Sequence, residues 1–229
     1  MREAIVLAGG FGTRLKQVVP EVPKPMASIA GRPFLEILLS TLARKDFARV
    51  VLSLGFMAEK IITHFGDCYS GMELVYEVDP QPLGTGGAIR AALMRCESEH
   101  VFVFNGDTYI DLEVDELESV RRASQNPVIV VREVPNTERF GRIEMNGGRV
   151  IAFYEKGVYG VGLINAGCYV LPRGALNSFP FGQSFSLETE YLAKELDRIH
   201  FNGFVTHGHF IDIGVPEDFS RAQIELVNL

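Results

Sequence analysis

Ala4-Ile5-Val6-Leu7-Ala8-Gly9-Gly10-Phe11-Gly12-Thr13-Arg14-Leu15 is the stretch on which the reading of this chain turns. Its first four residues are apolar and suit a buried strand. Small residues follow, and glycines after a buried strand let backbone N–H groups crowd against an anion. Pro23-Lys24-Pro25 comes shortly afterwards. Arg14 and Lys24 thus add cations that a phosphate can use. The pattern predicts a triphosphate cradle at the first strand of an α/β domain.

Two familiar phosphate cradles do not fit. The spacing G-x-x-x-x-G-K-[ST] is absent. The pattern G-x-G-x-x-G starts at Gly10 and Gly12 but meets Leu15 where a third glycine should stand. The next apolar strand ends in Gly55, without the acidic residue that would hold a ribose. A nicotinamide or flavin site is therefore not expected.

Outward from that stretch, strands and helices alternate. Residues 3–7, 50–54, 74–77 and 101–104 read as short apolar strands, and 34–45, 57–65 and 87–95 as helices between them. Leu35, Leu38, Leu39 and Leu42 recur at the spacing of one buried helical face. Such alternation predicts a mostly parallel sheet covered on both sides. Ligands of such sheets bind beyond the carboxyl ends of the strands, where Gly9–Gly12 and Asn105-Gly106-Asp107 fall. The middle of the chain changes character. Val128 to Val131 is a β-branched run, Asn146-Gly147-Gly148 separates two strand-like runs as a hairpin turn, and 164–171 reads as another strand. This predicts a small β-rich lobe over 127–171, between a nucleotide half at 1–126 and a C-terminal part at 172–229. Helices are expected at 187–199 and 215–227, the latter with Pro216 in its first turn.

The 229 residues suit one α/β domain, and 47% hydrophobic with 22% charged residues is ordinary for a chain with a large core. The net charge of −7 argues against a nucleic-acid partner, which needs a basic face. Cys68, Cys96 and Cys168 are scattered and show no C-x-x-C spacing, so a reduced, cytoplasmic protein is expected. No apolar run is long enough for a signal peptide or a membrane span.

An aspartate at the end of a buried strand is placed to hold a cation over the sheet edge. Asp107 follows Val101-Phe102-Val103-Phe104, and Asp212 stands in Phe210-Ile211-Asp212-Ile213-Gly214. Magnesium takes one or two protein carboxylates and completes its shell with water and phosphate oxygens. Pro82-Leu83-Gly84-Thr85-Gly86-Gly87 precedes a helix and offers exposed backbone to a flat base. His207 and His209 lack a third convergent ligand and make a weak zinc site.

Leu7-Ala8-Gly9-Gly10-x-Gly12-Thr13-Arg14-Leu15 with Pro23-Lys24-Pro25 resembles the signature of the sugar-1-phosphate nucleotidyltransferases, and the likeness runs from Glu3 to about Gln223. These enzymes join a nucleoside triphosphate to a sugar 1-phosphate and release pyrophosphate. The resemblance implies a Rossmann-like three-layer fold whose β-rich lobe binds the sugar. It implies that Leu7, Ala8, Gly9, Gly10, Gly12 and Thr13 bind the nucleotide with Arg14 and Lys24, the last two also being catalytic. Gly84, Thr85 and Gly86 would contact the base, with Asn105 and Asp107 beside the nucleotide. Asp107 and Asp212 would hold Mg²⁺. Gly141, Glu155, Lys156 and Asn165 would contact the sugar phosphate, although Gly157 stands where the family's Glu-Lys-Pro motif has proline. Segments 82–89, 185–188 and 210–218 are most similar to the guanylyl-transferring branch acting on a heptose 1-phosphate, which implies GTP as donor and a product feeding a bacterial surface polysaccharide. Mannose 1-phosphate guanylyl transfer and N-acetylmuramate 1-phosphate uridylyl transfer remain alternatives. So does a glycosyltransferase that consumes a nucleotide sugar, although it would need neither the Gly9–Arg14 turn nor Lys156. The oligomeric state is left open.

Overall fold

The structure, a computed structural model, describes residues 1–10, 22–154 and 156–227. The chain runs through β1 (Arg2–Leu7), a 3-10 turn (Lys24–Met26), β2 (Ser28–Ile29), β3 (Arg32–Pro33), α1 (Phe34–Arg44), β4 (Phe47–Leu54), α2 (Ala58–Phe65), β5 (Cys68–Tyr69) and β6 (Met72–Val78). Next come α3 (Gly84–Leu93), β7 (His100–Asn105), β8 (Thr108–Ile110), α4 (Val114–Ser124), β9 (Val128–Val134), β10 (Arg142–Asn146), β11 (Arg149–Tyr154) and β12 (Gly162–Pro172). A π-helical turn (Leu187–Leu192), α5 (Ala193–Glu195), β13 (Asn202–Thr206), β14 (Phe210–Asp212) and α6 (Pro216–Glu225) complete it.

Ten strands form one mixed sheet in the order β10-β11-β13-β9-β12-β7-β1-β4-β6-β5. The β7-β1-β4-β6 block is parallel, as its near-continuous apolar strands require. Successive residues of β1 feed opposite faces. Ala4 and Val6 pack with α1, α2 and α4, whereas Ile5 packs with α3 and the Leu187–Leu192 turn. The result is a three-layer, Rossmann-like α/β architecture. Leu35, Leu38, Leu39 and Leu42 are all buried, as the α1 spacing predicts.

The expected β-rich lobe is a continuation of this sheet. β12 pairs antiparallel with both β7 and β9, so the 127–171 stretch shares the central sheet and does not stand beside it. The far end curls until β10 pairs with β12 as well as β11, closing a ring of β10, β11, β13, β9 and β12. The curl follows from a bulge in β12 between Asn165 and Tyr169, since an inserted residue bends a strand and increases its twist. The C-terminal part supplies β13 to that ring. Its Asn202-Gly203 opening has low β propensity, and pairing with β9 on one side and β11 on the other makes it a strand.

The expected helix over 187–199 is a π turn and a short α5. Leu187 and Leu192 are five residues apart and both fully buried, and an i→i+5 turn brings them close to one face.

At the amino end of the sheet, Glu3 is buried and accepts from the backbone N–H groups of Glu97 (2.9 Å) and Ser98 (2.7 Å). It also pairs with the buried Arg49, which reaches Glu73 at 2.9 Å. Glu3→Ala should orphan two N–H groups and unbalance a buried charge, lowering unfolding free energy by about 3–5 kcal/mol. Urea denaturation checks this. A loss under 1 kcal/mol would mean that Glu73 alone satisfies Arg49.

Candidate active site

β1 lies between β4 and β7, with Leu7 in register with Ser53 on one side and Asn105 on the other. The chain leaves β1 toward one neighbour and later returns on the other, so their carboxyl ends border a crevice. That crevice is a cleft of about 520 Å³. Leu7, Ala8, Gly9 and Gly10 form its floor, Asn105 and Asp107 one wall, and Asp79, Leu83, Gly84 and Thr85 the other. The strand ends lock together: Ala8 N–H donates to the Ser53 carbonyl (2.8 Å) and Gly106 N–H to that of Leu7 (2.9 Å). A side chain at Gly106 would meet the Leu7 oxygen at 2.4 Å, so glycine permits the approach.

Lys24 enters the cleft from the 3-10 turn after Pro23. Its Nζ donates to Asp107 Oδ2 at 2.5 Å, with the lysine side chain only 10% exposed. β14 pairs with β8 and sets Asp212 opposite Thr108, next to Asp107. Ile213 N–H donates to the Asp107 carbonyl (2.9 Å), which stitches the two segments together. Burial and then the Asp107 charge push the Asp212 carboxyl up, while Lys24 and the Gly214 N–H (2.7 Å) pull it down. The structure therefore brings the two predicted carboxylates and Lys24 into one electrostatic cluster. Two hard carboxylates that disfavour each other's charge form a donor set that fits a divalent cation such as Mg²⁺.

The predicted base loop divides. Gly84 and Thr85 line the cleft, whereas Gly86 does not. Gly86 is buried under Phe185, whose ring would meet a Cβ there at 2.1 Å. Its glycine makes room for the core, so Gly86 offers no side of itself to a base. Thr85 turns its hydroxyl toward Glu188 (2.8 Å).

Gly12, Thr13, Arg14 and Glu155 lie outside the described residues. Of the expected sugar-side residues, Gly141 precedes β10, Lys156 follows β11 and is exposed, and Asn165 sits half-buried at the β12 bulge. None of the three lines the cleft. Asn165 donates to Tyr169 (2.7 Å) and accepts from Gly167 N–H (3.0 Å). Gly157 has φ +103° and donates its N–H to Glu138 (2.9 Å). Proline could do neither, so this loop is anchored differently from the family's Glu-Lys-Pro motif. His209 pairs with Glu225 at 2.8 Å, and no cluster of three metal-binding side chains occurs among the described residues.

Asp79 was not anticipated. It directly follows β6, but Glu73 and Glu77 interrupt that strand, so it lacks the apolar run that marks Asp107. Its N–H donates to the Leu54 carbonyl (2.9 Å), which fixes it at the cleft wall. Burial, helped by Glu77, raises its carboxyl to about 6.

A family model described as nucleotidyl transferase matches residues 3–228. The chain is 38% identical over 225 residues to the D-glycero-alpha-D-manno-heptose 1-phosphate guanylyltransferase of Aneurinibacillus thermoaerophilus, covering 98% of both. It is 35% identical over 219 residues to the Campylobacter jejuni protein of the same description, covering 95% of this chain and 96% of that one. The crystal structure of HddC from Yersinia pseudotuberculosis complexed with GMP-PN matches with a TM-score of 0.86 at 36% identity, over 97% of this chain and 98% of that one. With its cleft at the carboxyl ends of β1 and β7, the chain belongs to the nucleotidyl transferase family.

Proposed function

We propose that this chain transfers the guanylyl group of GTP to D-glycero-D-manno-heptose 1-phosphate, giving GDP-heptose and pyrophosphate. The supporting observation is the Lys24–Asp107 pair in a cleft floored by the Leu7–Gly10 backbone, within a chain similar end to end to heptose 1-phosphate guanylyltransferases.

An oxygen of the sugar phosphate attacks the α-phosphorus of GTP. The new P–O bond forms as the bond from the α-phosphorus to the β-phosphate oxygen breaks, and pyrophosphate leaves. No protein nucleophile is required. Two polyanions must meet, so the protein's part is positioning and charge neutralisation. The Leu7–Gly10 backbone cradles the triphosphate, and Lys24, with Arg14, offsets charge on the departing pyrophosphate. Lys156, with Glu155, Gly141 and Asn165, receives the sugar phosphate. Asp107 and Asp212 would hold Mg²⁺, which supplies positive charge across the phosphate oxygens. Asp79 accepts from the N–H groups on guanine's pairing edge, an interaction that adenine and the pyrimidines do not offer in the same form.

Mixing the protein with each of four nucleoside triphosphates, a panel of sugar 1-phosphates and Mg²⁺ should release pyrophosphate fastest with GTP and the heptose phosphate. Faster release with mannose 1-phosphate would reassign the sugar, and none with any pair would sink the proposal. Lys24→Ala, like Arg14→Ala, should lower turnover roughly 10²–10³-fold, the scale of one lost transition-state donor. Near-normal rates would remove them from catalysis.

Asp212→Asn keeps an oxygen for the Gly214 N–H but removes a buried charge that Asp107 opposes. Without divalent ions the melting temperature should rise by about 2–4 °C, while Mg²⁺-dependent turnover collapses. Unchanged turnover in a differential scanning and kinetic pairing would exclude Asp212 as a metal ligand.

Asp79 is ionised above about 6 and protonated below it. Since the ionised form accepts the base, the KM for GTP should rise as pH falls through that value. Asp79→Asn should weaken kcat/KM for GTP about 10- to 100-fold and flatten the pH profile. A wild-type profile flat between pH 5 and 7 (the window around about 6) would remove Asp79 from base recognition.

A further inference from the structure

Glu188 stands in the π turn, outside the cleft lining, yet it collects hydroxyl donors from both sides of the molecule. Its carboxylate accepts from Thr85 (2.8 Å), Ser186 (3.0 Å) and Tyr169 (3.2 Å). It forms no ion pair among the described residues. This arrangement commits the one hydroxyl hydrogen of Thr85, whose oxygen also accepts from Leu187 N–H at 2.9 Å. On the other side, Tyr169 is fully buried and its hydroxyl has one hydrogen. A carboxylate can only accept, so that hydrogen is committed to Glu188. The tyrosine oxygen is then left as an acceptor, and Asn165 must present its Nδ2 to it, at 2.7 Å. The Gly167 N–H agrees with this orientation, since it donates to Asn165 Oδ1 at 3.0 Å.

A directed chain thus runs from the base-side turn to the sugar-side bulge, its polarity held at one end by Glu188 and at the other by the Gly167 N–H. We propose that Glu188 is a positioning residue that, through Tyr169 and together with the Gly167 N–H, holds the Asn165 amide in the place and orientation in which it meets the sugar phosphate. This rests on the assignment of Asn165 to the sugar given above. Asn165 keeps one N–H and one oxygen lone pair for the ligand in this orientation. The reverse orientation would exchange donor for acceptor.

Glu188→Gln replaces one accepting oxygen with a donating NH₂. Offered that donor, the Tyr169 hydroxyl turns its hydrogen toward Asn165 Nδ2, and because the Gly167 N–H opposes an amide flip, Asn165 is pushed from its place. The KM for the sugar 1-phosphate should rise about 5- to 20-fold, the effect of one misdirected hydrogen bond, with kcat and the KM for GTP changed less than about threefold. Tyr169→Phe keeps the buried ring and cuts the chain at its centre, so it should reproduce that rise. Adding Glu188→Gln to it should add little. Equal changes in both KM values, or additive effects in the double variant, would overturn the proposal.

A second measurement does not depend on turnover. The ¹⁵N side-chain amide signals of Asn165, assigned by comparison with Asn165→Asp, should move in both Glu188→Gln and Tyr169→Phe. Their constancy would overturn the proposal even in an active enzyme. Absence of pyrophosphate release from the unaltered protein would count against the substrate assignment alone, while shifted signals would still support the relay.

Discussion

One backbone hydrogen bond, from Gly106 N–H to the Leu7 carbonyl, sets how closely two strand ends approach. β1 leads into Gly9 and Gly10 and β7 into Asn105 and Asp107, and neither set borders the cleft unless the strands run parallel in register. Everything chemical in the molecule hangs on that junction. β14 then docks beside it through the Ile213 N–H to Asp107 carbonyl bond and delivers Asp212 from far along the chain.

Charge at the junction is arranged against the protein's overall sign. The chain carries −7, and its cleft must still receive a polyanion. Lys24 is held on Asp107 with its side chain almost buried, so its charge is little screened by water. Burial, and then the neighbouring Asp107 charge, push the Asp212 carboxyl up. Such a cluster is poorly balanced by itself and better balanced with a divalent ion and phosphate oxygens in place. Like charges that share a site cost stability, and such arrangements cluster where function requires them.

The parallel block was legible in the sequence because its strands are buried on both faces and so read as apolar runs, and because α1 repeats leucine at helical spacing. Asp107 and Asp212 were legible for the same reason, each being an acidic residue ending an apolar run. The ring of β10, β11, β13, β9 and β12 was not. β13 begins with Asn202-Gly203, and β12 bends at a three-residue irregularity that no local propensity marks. Gly86 misled for a related reason. A glycine beside a ligand loop and a glycine beneath a phenylalanine look alike in one dimension, and only the position of Phe185 separates them.

The amino-acid order alone determined that a glycine-rich turn follows a buried strand, that cations lie close behind it, and that aspartates end two later strands. These are local facts of residue type and spacing. Tertiary structure alone decided that Lys24 meets Asp107 across 83 residues, that Asp79 faces the same cleft, and that Glu188 links Thr85 to Tyr169. The reason is that hydrogen bonds and charge pairs act over a few ångströms of space, whereas the separations along the chain that they bridge are fixed only by how the sheet is ordered.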